Sequence, residues 1–556
     1  MLTNMNEISH STHTNTASIC GGERCKFMLK RIKSIFTHRK NENRYENQNI
    51  EELKKFKLGN DLDDNISQLL RFMGNCFDIK TRKLTLSKQN VEVAVVYIDN
   101  LADSNIVLEH IIKPLTINSS DAESNANNNL FEHIKNSVIS AGTAEETESY
   151  DDIVLAVMSG NTFVCIEGYS KGIIINSKGY SGRSVTEPIM EPSVKGPKEG
   201  FVELLKDNLS IIRRRIRDPN LSLEKHIVGR RTKGEVVIAY MRGIVNPELV
   251  NEIRKRIQAV DIDDHVTTAK LLHFIVDHPK SIFPQVQTTE RPDKVVSALL
   301  SGQIGIIIEG SPTVLITPVT LPMLLQSADD YHENTYIVSL IRFSRYVCLI
   351  ISALFPSIYI AITSFHPGIL PTTLALSIAG ARAGVPFPAF LEAVAMEVTL
   401  EILEEAGKRL PKVIGQTVSI VGGLVIGQSA VQAKIVSPIM VIVIAFTAIA
   451  SFTIPDYSLN LASRILRIPF MILATTLGAF GISIGVLYIL GYLCSLENLG
   501  MSYMEPITPY RLRDWKDTII RAPYSTFGKR PEFLAPEDSQ QQIITKIKKA
   551  KNKGGP

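Results

Sequence analysis

Long uncharged stretches alternate with amphipathic ones in this chain, and they fall into two unlike halves. Residues 346–364, 413–433, 435–454 and 468–493 contain no Asp, Glu, Lys or Arg over 19, 21, 20 and 26 positions. A bilayer core ~30 Å thick needs ~20 apolar helical residues, so each run is predicted to span it. A single run of this kind fits the buried helix of a globular protein. Four between residues 346 and 493 point to a membrane region.

The front half is polar and reads as α/β, and its pattern occurs twice. Asn65-Ile66-Ser67 recurs 143 positions later as Asn208-Leu209-Ser210, and the strand-like residues 92–97 (EVAVVY) recur at the same offset as 235–240 (EVVIAY). A helical pattern follows each, starting near Asn105 and Glu248. At an offset of 142, Ala156 to Gly160 matches Ala298 to Gly302, and Ile166-Glu167-Gly168 matches Ile308-Glu309-Gly310. The ordered series predicts two tandem similar subdomains, each a strand, two helices and a hairpin. In the second copy Pro292 suits a first helical turn, where its missing N–H has no partner to lose. Ser301-Gly302 is a stop signal. Residues 304–309 and 314–317 are the expected hairpin strands. The fold expected is an α/β region of two such subdomains followed by a multi-pass α-helical membrane domain. Its boundaries are a polar tail to 60, subdomains at 61–195 and 196–330, membrane helices at 331–500 and a basic tail from 501 to 556.

Between the first two uncharged runs the pattern breaks. Phe365-His366-Pro367-Gly368 and Pro371 end any helix, and residues 374–380 are apolar but too short to span. A helix is predicted from Ala389 to Leu410. Glu397, Glu401, Glu404 and Glu405 share one face of it by their spacing. Carboxylates beside broken membrane helices are costly unless they face water, a cation or basic partners. A ring of such helices would attract cations. An interfacial helix paired with Arg382, Lys408 and Arg409 fits as well. Gln416 and Gln428 add polarity to the second run. Gly423/Gly427 and Gly481/Gly485 are GxxxG pairs that let helix backbones approach closely.

Charge and chemistry narrow the function. The net charge is only +4, which gives no case for nucleic acid. The six cysteines are scattered and show no disulfide framework. No signal peptide is recognisable, and residues 1–60 have a disordered composition. Within them, residues 24–40 form a basic segment with one apolar face, suited to an anionic membrane surface or to water. His10, His13, Cys20 and Cys25 fit no standard zinc spacing. Residues 118–129 read as a surface loop. Arg342 and Arg345 precede the first run, and the C-terminal residues are basic, so both ends are expected to be cytosolic. Arg183, Glu187, Arg213, Arg214, Arg215, Glu290, Arg291 and Asp293 lie on the stretches joining or leaving the subdomains, as an interface network or a solvated surface. No P-loop, dinucleotide fingerprint, nucleophile elbow or metal motif is present, so neither an enzyme nor a cofactor is expected.

The strings GRSVTEP, GPKEGF with IRRRIRDPNL, FPQVQTTERPDK, FHPGILPT, VPFPAFLE, EEAGKRLP and SIVGGLVIGQSAV stand in this order, followed by VSPIMVIVIAFTAIASFTIP. In them the chain resembles the A subunits of GerA-type spore germination receptors, from about Ile66 to Pro509. The resemblance implies residence in the spore inner membrane, with lipid around the helices. It implies a permease-like B subunit and a lipoprotein C subunit as partners. It also implies a homo-oligomer, plausibly a pentamer, acting as a ligand-gated cation channel. Glu397, Glu401, Glu404, Gln416 and Gln428 are then the candidate ion path, with Arg382 joining the interface or gating residues. A non-conducting scaffold is the alternative.

Overall fold

The computed structural model describes residues 53–541, apart from 75, 87–90, 118–129, 140–142, 180–186, 189, 194, 265, 412–422 and 424. The basic segment at 24–40, the loop at 118–129, Arg183 and Gln416 lie outside the described residues.

The front half holds α1 (Leu62–Met73), β1 (Ile79–Leu86), β2 (Val91–Ile98), β3 (Ala144–Thr147), α2 (Tyr150–Met158), β4 (Thr162–Ile166) and β5 (Gly172–Ile175). Then come α3 (Leu205–Arg215), β6 (Leu221–Val228), β7 (Gly234–Met241), α4 (Pro247–Gln258), α5 (Thr268–Ile275), β8 (Gln287–Thr289), α6 (Pro292–Ser301), β9 (Ile304–Ile308) and β10 (Val314–Thr317). The two sheets have the same topology, β1-β2-β4-β5-β3 and β6-β7-β9-β10-β8. The registered pairs are antiparallel.

Both faces of each sheet are covered, which is why the central strands are apolar without alternation. In the first sheet Ala94 and Val96 pack towards α1 and α2, and Val93 and Val95 towards Ile111, Leu115 and Phe131. In the second, Val237 and Ala239 face α3 and α6, and Val236 and Ile238 face α4 and α5.

The repeated asparagine has the same task in both copies. Asn65 accepts from Gly59 N at 2.9 Å and donates to Gly59 O at 2.8 Å. Asn208 does the same to Val202, at 2.8 and 2.6 Å. Each locks the entry into its helix. The matched glutamates serve the backbone: Glu167 accepts from Leu62 N at 2.7 Å and Glu309 from Glu235 N at 3.1 Å.

The back half is helical: α7 (Thr335–Ser364), α8 (Thr372–Arg382), α9 (Ala389–Arg409), α10 (Pro438–Phe452) and α11 (Tyr457–Ser495). Among the described residues, α7 and α11 are long and apolar enough to cross a membrane. The third uncharged run differs from expectation. Ser437 caps α10 by accepting from Met440 N, which starts the helix late, and its 15 residues reach only ~22 Å.

The fourth run is also not one straight helix. Gly478 has φ 63° and ψ −142°, a conformation essentially restricted to glycine. The chain reverses there. A methyl group on Gly485 would lie 2.7 Å from Phe470 Cε1, and one on Gly481 would collide with the Leu473 carbonyl. These two glycines therefore let the arms of one helical hairpin touch. Among the described residues, a methyl group on Gly427 would meet Val441 alone, at 3.7 Å, and one on Gly423 would meet nothing within 4 Å.

The cores of the halves join. Ile454, Leu459, Ala462, Leu493 and Leu496 belong to the same apolar cluster as Leu209, Ile212 and Leu299 of the second subdomain. Residues 501–541 are folded onto that subdomain. Leu321 N donates to Tyr503 O at 2.9 Å, Asp538 N to Gly243 O at 3.0 Å, and Arg530 Nε to Leu300 O at 2.8 Å.

Candidate functional site

Charged side chains concentrate at three joints of this framework. The first lies between the subdomains. Arg213, in the last turn of α3, is fully buried and forms a two-pronged ion pair with Asp78, Nε–Oδ2 2.9 Å and Nη2–Oδ1 3.0 Å. Its Nη1 donates to Leu221 O at 3.2 Å. Burial opposes the charge, but the Asp78 carboxylate outweighs it and holds the guanidinium pKa above its usual value. Arg214 and Arg215 turn the other way and clamp Glu199, with Arg215 Nη2–Oε2 at 2.6 Å.

The second joint lies around α6. Arg291 pairs with Asp293 (2.8 Å), and its Nη1 donates to Glu191 O at 3.4 Å. Lys294 pairs with the Glu191 carboxylate at 2.7 Å, and Glu290 accepts from Met190 N at 3.2 Å. Among the described residues, Glu187 pairs with Lys198 alone, at 3.5 Å on the exposed surface. The connector 187–200 is thus strapped across the start of α6, which brings Arg291, Asp293 and Glu290 together.

The base of α7 forms the third joint, and sequence reasoning missed it. Arg342 is buried between Asp330 (2.9 Å) and Asp517 (2.7 Å), and Arg345 grips Asp330 with two bonds of 2.9 Å. The Tyr331 hydroxyl donates to Asp517 at 2.8 Å. Arg521 stacks 5.2 Å from the Tyr331 ring. Burial, then the Asp517 charge, push the Tyr331 phenol far above its usual pKa. Burial also raises Asp517, although Arg342 pulls it down.

The acidic row of α9 meets cations in this chain, but not those expected. Glu397 pairs with Arg467 at 3.0 Å, and both Glu401 and Glu404 pair with Arg464. Both arginines lie on the first arm of α11, and Arg467 Nε also donates to Ser352 O of α7 at 2.5 Å. Glu405 does pair with Arg409 (2.9 Å) and Lys408 (3.9 Å). Arg382 pairs instead with the buried Glu392, at 3.3 Å, because the end of α8 lies beside the start of α9. The clue was present: Arg464 and Arg467, three apart, can face carboxylates spaced four and three apart. Gln428 is exposed and lies outside this cluster.

No group of His, Cys, Asp and Glu able to hold a metal occurs among the described residues. The clusters are paired salts, suited to holding surfaces in register.

Residues 67–533 match the family model described as Bacillus/Clostridium GerA spore germination protein. The chain is similar to spore germination protein B1 of Bacillus subtilis (strain 168), 39% identical over 87% of this chain and 100% of that protein. It is similar to spore germination protein KA of the same organism, 38% identical over 86% of this chain and 87% of that protein. A crystal structure of the N-terminal domain of the A subunit of the Bacillus megaterium spore germinant receptor GerK3 is 29% identical, covering 47% of this chain and 96% of that domain with a TM-score of 0.38.

Proposed function

The chain belongs to the GerA family of spore germination proteins, and from that premise we propose that it is the non-enzymatic A subunit of a nutrient receptor in the spore inner membrane. Its apolar helices cross the bilayer in an even number of passes, with both chain ends cytosolic. What supports this is that the base of α7 and both ends of α11 meet the second subdomain. The partners are a permease-like B subunit, a lipoprotein C subunit and further copies of this chain, which form a pentamer. The exposed apolar residues Ile442, Phe452, Phe480, Leu487 and Tyr488 face lipid or these partners.

The assembly conducts cations when nutrient binds. The observation that carries this reading is the row Glu397, Glu401 and Glu404 against Arg464 and Arg467, where three acids meet two cations beside apolar helices. In the resting state the two arginines hold all three carboxylates and leave one negative charge unbalanced. A nutrient that favours a second arrangement frees carboxylates to face cations, and it must bind the two states with different affinity. Spores carrying Glu397→Gln with Glu401→Gln should show altered nutrient-triggered cation release at unchanged protein level. Unaltered release removes the row from the ion path.

The same pairing favours a second reading, a non-conducting scaffold in which the salts only hold the helices together. Cation flux through the purified complex in liposomes separates the two; a complex that binds nutrient without flux is a scaffold.

A further inference from the structure

Helix α7 carries two charged side chains, Arg342 and Arg345, and both turn inward. They are 1% and 12% exposed, and Asp330 holds each of them. Another face of the same turns is apolar. Tyr336, Leu340, Phe343, Val347 and Ile350 follow one another along it at helical spacing and are 38–86% exposed. Ile350 stands at mid-helix, where a span meets lipid. The strip therefore carries the lipid-facing surface past Tyr346, where the uncharged run ends in the sequence.

The length of α7 agrees. Its 30 residues reach about 45 Å. A hydrocarbon core needs ~30 Å, and a bilayer with both headgroup layers ~40–45 Å. Charge returns to the surface just before the helix, where Glu333 pairs with Lys195 at 2.5 Å.

The C-terminal segment flanks the same strip. Arg521 N donates to Ser339 Oγ at 3.1 Å, and Asp517 pairs with Arg342 almost one turn further on. Ser339 borders the strip by its helical position. Next to this contact Ile520 is 62% exposed, and Tyr524 is 57% exposed. Tyrosine suits the headgroup level, because its ring is apolar and its tip is polar.

We propose that Tyr336, Leu340, Phe343, Ile520 and Tyr524 lie in the cytosolic headgroup layer of the bilayer. The C-terminal segment is then an element of the membrane surface as well as a cap on the second subdomain. The occupant is lipid rather than a second copy of the chain. The strip is continuous with the mid-helix surface, and its side chains carry no charge that would set one protein in register on another. This assignment rests on α7 crossing the bilayer, which one arm of the test reads separately.

The chain has a single tryptophan, Trp515, whose ring meets Tyr510 at 5.6 Å. Trp515→Phe keeps a ring there and leaves a dark background. Into it a reporter is placed by Ile520→Trp, Tyr336→Trp or Ile350→Trp, each at an exposed position. The full-length variants are reconstituted in phosphatidylcholine/phosphatidylglycerol vesicles. The acyl chains are brominated either beside the headgroup or near the bilayer centre, and iodide serves as the aqueous quencher. The Ile520 and Tyr336 reporters should lose more fluorescence to bromine beside the headgroup than to bromine at the centre. The Ile350 reporter should show the reverse order. Loss at Ile520 to iodide and to neither bromine places the segment in water, and loss to no quencher places it under a protein surface. Either result overturns the proposal. If the Ile350 reporter still answers to central bromine, α7 spans the bilayer and only this assignment falls. If it does not, the spanning helix falls with it.

Discussion

The two subdomains share a sheet order and differ in who completes them. The apolar clusters of the first are built from residues 53–175 alone. The main cluster of the second takes in Ile454, Leu459, Leu493, Leu496 and Tyr503 from the helical half and the segment after it. One copy of the fold is closed on itself; the other has become a base for the apolar helices. Duplication thus yields one self-sufficient unit and one whose stability is shared with its neighbours.

The sharpest way to break this comparison is to separate the copies. A fragment of residues 53–178 should unfold cooperatively in a circular dichroism melt. A fragment of residues 199–325 should fail to show a cooperative transition, because it loses a side of its core. A cooperative melt of the second fragment would erase the distinction. Next in size is the joint between them. Arg213→Ala leaves Asp78 buried without a counter-charge and should cost about 3–5 kcal/mol in denaturant unfolding of the full chain. Arg213→Met with Asp78→Leu should recover most of that, since an apolar pair of similar size is often neutral.

Much of the duplication was legible in the sequence because central strands covered on both faces are long apolar strings. The remaining strands were not. β1 keeps Lys80 to Lys83 exposed, and β3 and β8 are the short polar strings AEET and QTT, with no periodicity to detect. The row Glu397, Glu401 and Glu404 was legible as a face, but its partners lay about 60–70 residues away, on the flank just before the fourth uncharged run. The reversal at Gly478 depends on one backbone conformation in a uniformly apolar stretch. Nothing local marks it out from Gly481 or Gly485.

A smaller effect tests the base of α7. Asp517→Asn keeps the shape but removes a charge next to Arg342. Asp517 is 31% exposed on its side chain, so solvent screens the pair and the loss should be about 1–2 kcal/mol. It should appear as faster hydrogen exchange in residues 514–534, with exchange in β1 to β5 unchanged.

The smallest effect is alkaline. Burial pushes the Tyr150 phenol up to about 12, and its hydroxyl donates to Asn65 Oδ1 at 3.0 Å. The matching position in the second copy is Pro292, which cannot titrate. A folded-state pKa above the unfolded value gives stability that is complete below about pH 10 and lost as pH rises through about 12. The first subdomain should therefore weaken in that window, and Tyr150→Phe should flatten the dependence. An unchanged pH profile in that variant would assign the alkaline loss to other groups.

The pair of Arg342 with Asp517 joins positions 175 residues apart. A ribosome adding ~5–20 residues per second covers that distance in roughly ten to thirty-five seconds. Throughout that interval the nascent chain holds a finished apolar helix whose basal arginine has only Asp330 to answer it. A nonsense codon between the end of α7 and position 517 makes that condition permanent, so even a late truncation reaches back to the base of α7.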